Sequence, residues 1–160
     1  MKILIVSDTH GYNANFEKVL KKVGEPDMLI HAGDVSGSEY YYENVISNAT
    51  IMVMGNNDYG GLQPSVEFEL KGHHFFVTHG HRYRVYYGLD TLLSAASARG
   101  ADIVIYGHTH RPDVTYDQNR KIWAVNPGSL TYPRQDGRRP SFILMNFDGE
   151  DNPQFTINYL

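Results

Sequence analysis

The sequence ILIVSDTH at residues 3–10 decides the fold, because an uncharged apolar run leads directly into an acid and a histidine. Four consecutive aliphatic residues predict a strand that is covered on both faces. The same pattern returns at residues 28–34 (MLIHAGD) and again at 51–58 (IMVMGNND). Helices are predicted between these runs, one after Asn13 as its cap and one over Tyr40–Ile46. This β-α-β-α-β order predicts parallel strands joined by right-handed crossovers.

The second half of the chain is rich in predicted strands. Two of them flank Lys71-Gly72-His73-His74, which predicts a hairpin with both histidines in an exposed turn. A helix is predicted over Leu89–Ala98, a buried strand over Ile103–Tyr106, and a meander-like series of strands after it. Two packed sheets with helices outside is the simplest architecture, and residues 1–160 are expected to form one domain.

Polar clusters follow five of the predicted strands. Because the carboxyl ends of strands in an α/β sheet share one edge, the clusters can meet in one pocket. Each cluster alone also fits a turn acid, a cap or a core histidine, whereas all five in order favour a metal site. The clusters are Asp8-Thr9-His10, Gly33-Asp34, Gly55-Asn56-Asn57-Asp58, Thr78-His79-Gly80-His81 and Gly107-His108-Thr109-His110.

Composition narrows the chemistry. The chain has no cysteine, which excludes thiolate metal ligands and a cysteine nucleophile, and which fits a cytoplasmic protein. The formal net charge is −4 and no basic face stands out, so non-specific nucleic-acid binding is not expected. Neither a leader peptide nor a membrane segment is predicted. The 12 tyrosines suggest interface patches, hence a homodimer or higher homo-oligomer.

The ordered set of clusters closely resembles the calcineurin-like metallophosphoesterase superfamily. The short length and the segments Gly55–Asp58 and Asn126-Pro127-Gly128-Ser129 resemble its small prokaryotic YfcE-type phosphodiesterases. The resemblance implies an α/β fold, a four-layer α/β/β/α sandwich of two mixed sheets. It implies two divalent metal ions per chain, Mn ahead of Ni, Zn, Fe or Mg. The implied ligands of one metal are Asp8, His10, Asp34 and His110; those of the other are Asp34, Asn56, His79 and His108.

The implied reaction is hydrolysis of a small phosphodiester substrate by a hydroxide that the two metals activate. No protein nucleophile is required, and Asp34, Asn56 and His108 would act through the metals. His81 could contact substrate, orient a ligand or only make a structural hydrogen bond. Arg111 could bind a phosphate oxygen or be a solvated loop cation. The cluster of Arg134, Arg138 and Arg139 is expected to be a solvated loop, with a substrate or partner contact as the alternative.

One position departs from the superfamily's pattern. Many members have a histidine after the ligand asparagine as an acid toward the leaving group, and this chain has Asn57 there. We therefore expect better turnover of aryl or otherwise activated diesters than of alkyl esters. The departure also leaves open a protein-binding scaffold of the same fold, as in the retromer cargo-sorting complex, and a phosphomonoesterase is a third alternative. His31 and Trp123 are expected to be core or packing residues.

Overall fold

A computed structural model describes residues 1–160 and contains ten strands and three helices. The strands are β1 Ile3–Val6, β2 Met28–His31, β3 Ala49–Met52, β4 Ser65–Leu70, β5 His73–Thr78, β6 Ile103–Ile105, β7 Pro112–Asp117, β8 Ile122–Pro127, β9 Ser141–Phe147 and β10 Pro153–Tyr159. The helices are α1 Ala14–Val23, α2 Glu39–Val45 and α3 Asp90–Ala98. None of the three has the length and apolar character needed to cross a lipid bilayer.

The strands form two mixed five-stranded sheets. The first has the order β10-β9-β1-β2-β3, and the second has the order β4-β5-β6-β8-β7. The predicted parallel pairing of the first three strands is confirmed, with Ile5 opposite Ile30 and Ile30 opposite Ile51. The predicted meander is wrong, because β6 lies parallel to both β5 and β8, and β9 crosses back to pair antiparallel with β1. Alternation along a strand indicates its buried face but not its partner.

Three apolar clusters hold the layers together. The largest lies between the sheets and contains Ile5 and Ile105, with the half-buried Trp123 packed against it. A second packs α1 and α2 on the first sheet, and a third packs α3 on the second sheet. The result is the expected four-layer α/β/β/α sandwich, in which β1 is buried on both faces as its aliphatic run predicted.

Two local expectations need correction. The hairpin turn uses only Lys71 and Gly72, whose φ angles of 55° and 80° suit a two-residue turn. His73 and His74 therefore lie in β5 as half-buried residues, and His73 Nδ1 lies 2.6 Å from a carboxylate oxygen of Asp102. Asn13 precedes α1 but its side chain does not cap the helix; it accepts a hydrogen bond from the Tyr42 hydroxyl instead.

Candidate metal centre

The carboxyl ends of three strands bring donor atoms from distant parts of the chain into one cluster. One donor atom each from Asp8, His10, Asp34 and His110 lie within 4.8 Å of one another. Asp8, Asp34 and His110 are buried, and His10 is partly exposed. Two carboxylates and two imidazoles in such a volume offer the nitrogen and oxygen donors that divalent transition metals bind.

A second group adjoins the first across Asp34. His79 Nε2 lies 3.5 Å from Asp34 Oδ2 and 3.2 Å from Asn56 Oδ1. The ring of His108 lies 5.1 Å from that of His79. The structure thus brings together all seven residues predicted from the sequence as metal ligands, with Asp34 between the two groups.

Most of these side chains belong to residues with a left-handed backbone conformation, which sets the direction in which they project. Asp8, His10, Asp34, His108 and His110 have φ angles of 54°, 50°, 56°, 69° and 58°. Asp8 and His10 therefore do not project from an extended segment, although alternate residues of such a segment would also have faced one metal, because the chain turns sharply where each strand ends. Asp and His are among the residues that tolerate the left-handed region. Such strained residues concentrate where surrounding structure enforces them, commonly at functional sites.

Two glycines permit the close approach of the loops. A Cβ on Gly55 would lie 2.1 Å from Asp34 Oδ1, and one on Gly107 would lie 2.0 Å from Ser7 Oγ. Both distances are too short for any side chain. These positions therefore require glycine for the loops to pack against the carboxylates.

Backbone carbonyls fix the tautomers of two histidines. His79 Nδ1 donates a hydrogen bond to the Ala32 carbonyl, and His110 Nδ1 donates one to the Tyr132 carbonyl, each at 2.7 Å. In the neutral rings, Nε2 is then the unprotonated atom and faces the cluster. Orientation of a ligand imidazole through its other nitrogen is a common feature of metal sites.

Asp8 has a buried oxygen whose hydrogen-bonding capacity is unused. Its Oδ2 accepts hydrogen bonds from Ser7 Oγ at 2.6 Å and from the His108 backbone N–H at 3.1 Å. Its Oδ1 is buried with no hydrogen-bond partner, although His110 Nε2 lies 3.1 Å away. An orphaned buried carboxylate oxygen is unusual in proteins, and a cation would satisfy it. The residues present therefore fit a bound metal.

The charge states of the cluster also suit a cation. Burial raises the pKa of Asp8, but the nearby imidazoles of His79 and His110 and the hydrogen bond from Ser7 outweigh it and hold the pKa at about 2. Burial, reinforced by His79, lowers the pKa of His108 to about 4, so this ring is neutral at pH 7. Burial also lowers the pKa of His10, against the opposing charges of Asp34 and Asp8. Burial would also lower the pKa of His110, but the adjacent Asp8 carboxylate outweighs it and raises that pKa, so a cation bound at this pair would displace a proton from His110.

Asn57 and Asp58 are supporting residues whose roles the sequence did not reveal. The Asn57 backbone N–H donates to Asp34 Oδ1 at 2.8 Å, and its side-chain Nδ2 donates to Asp34 Oδ2 at 2.7 Å. Asp58 accepts hydrogen bonds from the backbone N–H groups of Gly55 at 2.7 Å and Ser36 at 2.6 Å. An Asp three residues after a glycine in a polar turn is the signal that could have indicated Asp58.

The segment Asn126–Ser129 links two loops of the cluster. Asn126 Nδ2 donates hydrogen bonds to the Gly107 carbonyl and to Thr109 Oγ1, both at 3.0 Å. Ser129 Oγ donates to the Asp8 carbonyl at 2.7 Å. Both residues are fully buried. The segment therefore holds the loops after β1 and β6 in register.

Two further histidines were singled out in the sequence. The ring of His81 lies 5.3 Å from that of His79, and its Nδ1 is buried without a hydrogen-bond partner. Burial, with a contribution from His79, lowers the pKa of His81. His31 is fully buried, with Nε2 2.9 Å from Thr9 Oγ1, so its expected place in the core is confirmed.

The protein surface has two grooves, one of which borders the cluster. One, of about 600 Å³, adjoins His110 and is lined by Arg111, Thr131, Tyr132, Pro133, Arg134 and Arg138. The other, of about 370 Å³, is lined by Arg84, Tyr87, Gly88, Asp90 and Thr91. Tyr86, which precedes Tyr87 in the chain and is not part of this lining, has its ring centroid 4.9 Å from that of His108.

Comparison with known proteins agrees with this geometry. The sequence profile of the calcineurin-like phosphoesterase superfamily domain matches residues 1–150. The chain belongs to this superfamily. A probable metallophosphoesterase of Mycoplasma pneumoniae is 36% identical over 148 residues, which cover 91% of this chain and 89% of that protein. The phosphodiesterase YfcE of Escherichia coli is 27% identical over 173 residues, covering 92% and 89% of the two chains.

Solved structures of the superfamily share the fold along the whole chain. A predicted phosphoesterase from Streptococcus pneumoniae superposes with a TM-score of 0.79 at 28% identity, covering 99% of this chain and 88% of that one. Vps29 of Entamoeba histolytica, in a structure with Zn²⁺, superposes with a TM-score of 0.77 at 19% identity and covers 99% of both chains. The fold and the superfamily of this chain are therefore established. The chain also contains a cluster of Asp and His residues that could bind metal.

Proposed function

We propose that this member of the superfamily is a metal-dependent phosphodiesterase. The observation that carries the proposal is the convergence of seven donor residues around the buried carboxylate of Asp34. The groove beside His110 supports a diester over a monoester, because it can hold an organic substituent in addition to the leaving group. We further propose that residues 1–160 form one domain, since β9 and β10 complete the sheet that β1 begins.

The proposed metal ligands fall into two groups that share Asp34. Asp8, His10, Asp34 and His110 would hold one divalent cation, and Asp34, Asn56, His79 and His108 would hold the other. When bound, the cations supply positive charge that attracts a phosphate ester and lowers the pKa of water. Mn remains our first expectation for the metal, ahead of Ni, Zn, Fe or Mg.

The protein's own residues orient this chemistry. Ala32 and Tyr132 fix the tautomers of His79 and His110 through their carbonyls. Asn57 holds both oxygens of Asp34 and so cannot use the same N–H groups on a substrate. A carboxamide is in any case no useful proton donor, which favours substrates whose leaving group needs little protonation. His81, whose ring lies 5.3 Å from that of His79 and 6.0 Å from that of His108, is the proposed substrate contact on this side of the cluster.

The proposal is tested with metal-stripped protein that is reloaded with Mn(II). We expect turnover of bis(para-nitrophenyl) phosphate only after reloading, and slower turnover of para-nitrophenyl phosphate under the same conditions. Faster turnover of the monoester would replace the proposal with a phosphomonoesterase.

A matched pair of variants distinguishes the effect of a change at the metal cluster from that of a change at the surface. Asp34→Asn should abolish turnover because it removes the carboxylate shared by both groups. Asp151→Asn, which changes an exposed acid paired only with Lys71, should retain it. Loss in both variants, or retention in both, would contradict the assigned role of Asp34.

A protein-binding scaffold is the second candidate function. The full-length superposition with Vps29 shows a shared fold, and exposed tyrosines such as Tyr59 and Tyr87 could contact a partner. Absence of turnover of both esters, in protein shown to carry metal, would favour this function. The expected cytoplasmic location and homo-oligomeric state stay predictions.

A further inference from the structure

The groove beside His110 is lined by positively charged residues, although the protein has four more acidic than basic residues. Arg111, Arg134 and Arg138 line it together. The ion pairs of other cations, Lys71–Asp151, Arg99–Glu67 and Arg120 with Asp90 and Asp117, lie elsewhere. None of the three groove arginines has a carboxylate within ion-pair distance. Their charges are thus left available in one concave surface.

Arg134 is tied to the metal-site loop at two points. Its backbone N–H donates to the His110 carbonyl at 3.0 Å. Its guanidinium donates to the Tyr86 hydroxyl, which in turn donates to the His108 carbonyl at 3.0 Å. The guanidinium is therefore held at the edge of the cluster, over the loop that carries both histidines.

Two other residues that line the groove also lie beside the metal cluster. Arg111 directly follows His110 in the chain, and the ring of Tyr132 lies 5.2 Å from the ring of His10. Tyr132 in turn packs edge-on against Tyr12 at 6.1 Å. The groove thus begins at the candidate metal centre, and its volume of about 600 Å³ can hold a substituent of the size of a small ligand.

Guanidinium groups bind phosphate through paired, charge-assisted hydrogen bonds. We propose that this groove is a second phosphate subsite, so that the preferred substrates are small phosphodiesters whose retained alcohol carries another phosphate group. This inference rests on the proposed phosphodiesterase function. It adds the substrate class: the scissile phosphate binds at the metal centre and the second phosphate binds Arg111, Arg134 and Arg138.

Two chromogenic substrates that differ only in the second phosphate test the subsite. One is the para-nitrophenyl ester of thymidine 5′-phosphate, and the other is the same ester carrying a 3′-phosphate. With the Mn-loaded protein, we expect the 3′-phosphate to lower KM by about tenfold, the effect of one hydrogen bond to a charged group, and to leave kcat nearly unchanged. Equal KM values for the two esters would overturn the subsite and leave the phosphodiesterase intact.

Variants locate the effect in the groove. Arg111→Gln and Arg138→Gln should each reduce the KM ratio of the two substrates toward one. Arg99→Gln, a matched change at an arginine that pairs with Glu67 on another face, should keep the ratio of the unaltered protein. A KM ratio that stays unchanged in both groove variants would overturn the assignment of the phosphate subsite to this groove.

Calorimetry gives a readout that does not depend on turnover. Thymidine 3′,5′-bisphosphate should bind the Mn-loaded protein about tenfold more tightly than thymidine 5′-phosphate, and Arg138→Gln should remove the difference. If neither ester is hydrolysed, the phosphodiesterase function fails, and calorimetry still decides the subsite. Equal affinities for the two nucleotides would overturn it.

Discussion

Asn57 shows how one side chain can exchange a chemical role for a structural one. The resemblance to the superfamily implies a histidine acid at this position, whereas the Asn57 amide donates to the carboxylate of Asp34. Its backbone N–H binds the other oxygen of the same carboxylate. The residue therefore orients the proposed bridging ligand, and the leaving group must depart without its help.

Removal of the Asn57 amide should weaken metal binding. Asn57→Ala leaves Asp34 Oδ2 without a hydrogen bond that orients it, and loss of such a support costs about 10- to 100-fold in metal affinity or activity. Titration with Mn(II) measures the affinity, and Asn119→Ala, at an exposed loop position, is the control. Equal affinity in Asn57→Ala and the unaltered protein would show that the backbone bond alone orients Asp34.

The leaving group should control the rate. Without a proton donor at position 57, kcat/KM should fall steeply along a series of aryl methyl phosphodiesters as the pKa of the departing phenol rises. Steady-state kinetics across the series measures this slope. If kcat/KM did not depend on the pKa of the phenol, another group would have to donate the proton, and His81 would be the first candidate.

At the scale of elements, the loop after β8 ties together the loops after β1 and β6. Ser129 Oγ donates to the Asp8 carbonyl and accepts hydrogen bonds from the backbone N–H groups of Thr131 and Tyr132. The sequence motif indicated that this turn is near the site. It could not indicate the bond from Ser129 to Asp8, because these two residues lie 121 positions apart.

Ser129→Ala should destabilise the fold through these lost bonds. It leaves buried backbone groups without a partner, which costs about 1–3 kcal/mol in the free energy of unfolding. Urea denaturation measures the change, and Ser47→Ala, at an exposed position, should stay within about 0.5 kcal/mol of the unaltered protein. A similarly small change in Ser129→Ala would mean that water or a shifted loop replaces the bonds.

At the scale of the whole molecule, the buried His31 should make stability depend on pH. Burial lowers its pKa from 6.5 to about 4 in the folded protein. The unfolded chain thus binds more protons between these values. The stability that neutral His31 contributes is present above pH 6.5 and is lost progressively as pH falls toward 4, by an amount on the order of 3 kcal/mol.

His31→Gln should flatten this dependence, because glutamine does not titrate. Unfolding free energies of the metal-free protein between pH 7 and 4 give the slope, and the difference between variant and unaltered protein isolates His31 from the titration of His10 and His108. Parallel slopes in the two proteins would contradict the assigned pKa.

The parts of the fold that sequence predicted are those set by local pattern. The aliphatic runs of β1 and β2 and the helical spacing of α1 come from neighbouring residues, and the polar clusters follow because strand ends share one edge. The pairing of β9 with β1 could not be predicted, since any apolar strand can fill that place. The left-handed backbone at Asp8 and Asp34 was missed as well, because it is imposed by contacts between distant loops.

The central claim is that Asp34 joins two metal sites. The most direct measurement is the number of Mn(II) ions bound per chain, by electron paramagnetic resonance of dialysed protein, in the unaltered chain and in Asp34→Asn. We expect two ions with the spectrum of a magnetically coupled pair, and loss of the coupled spectrum in the variant. One uncoupled ion per chain, or a coupled pair that survives in Asp34→Asn, would contradict the account.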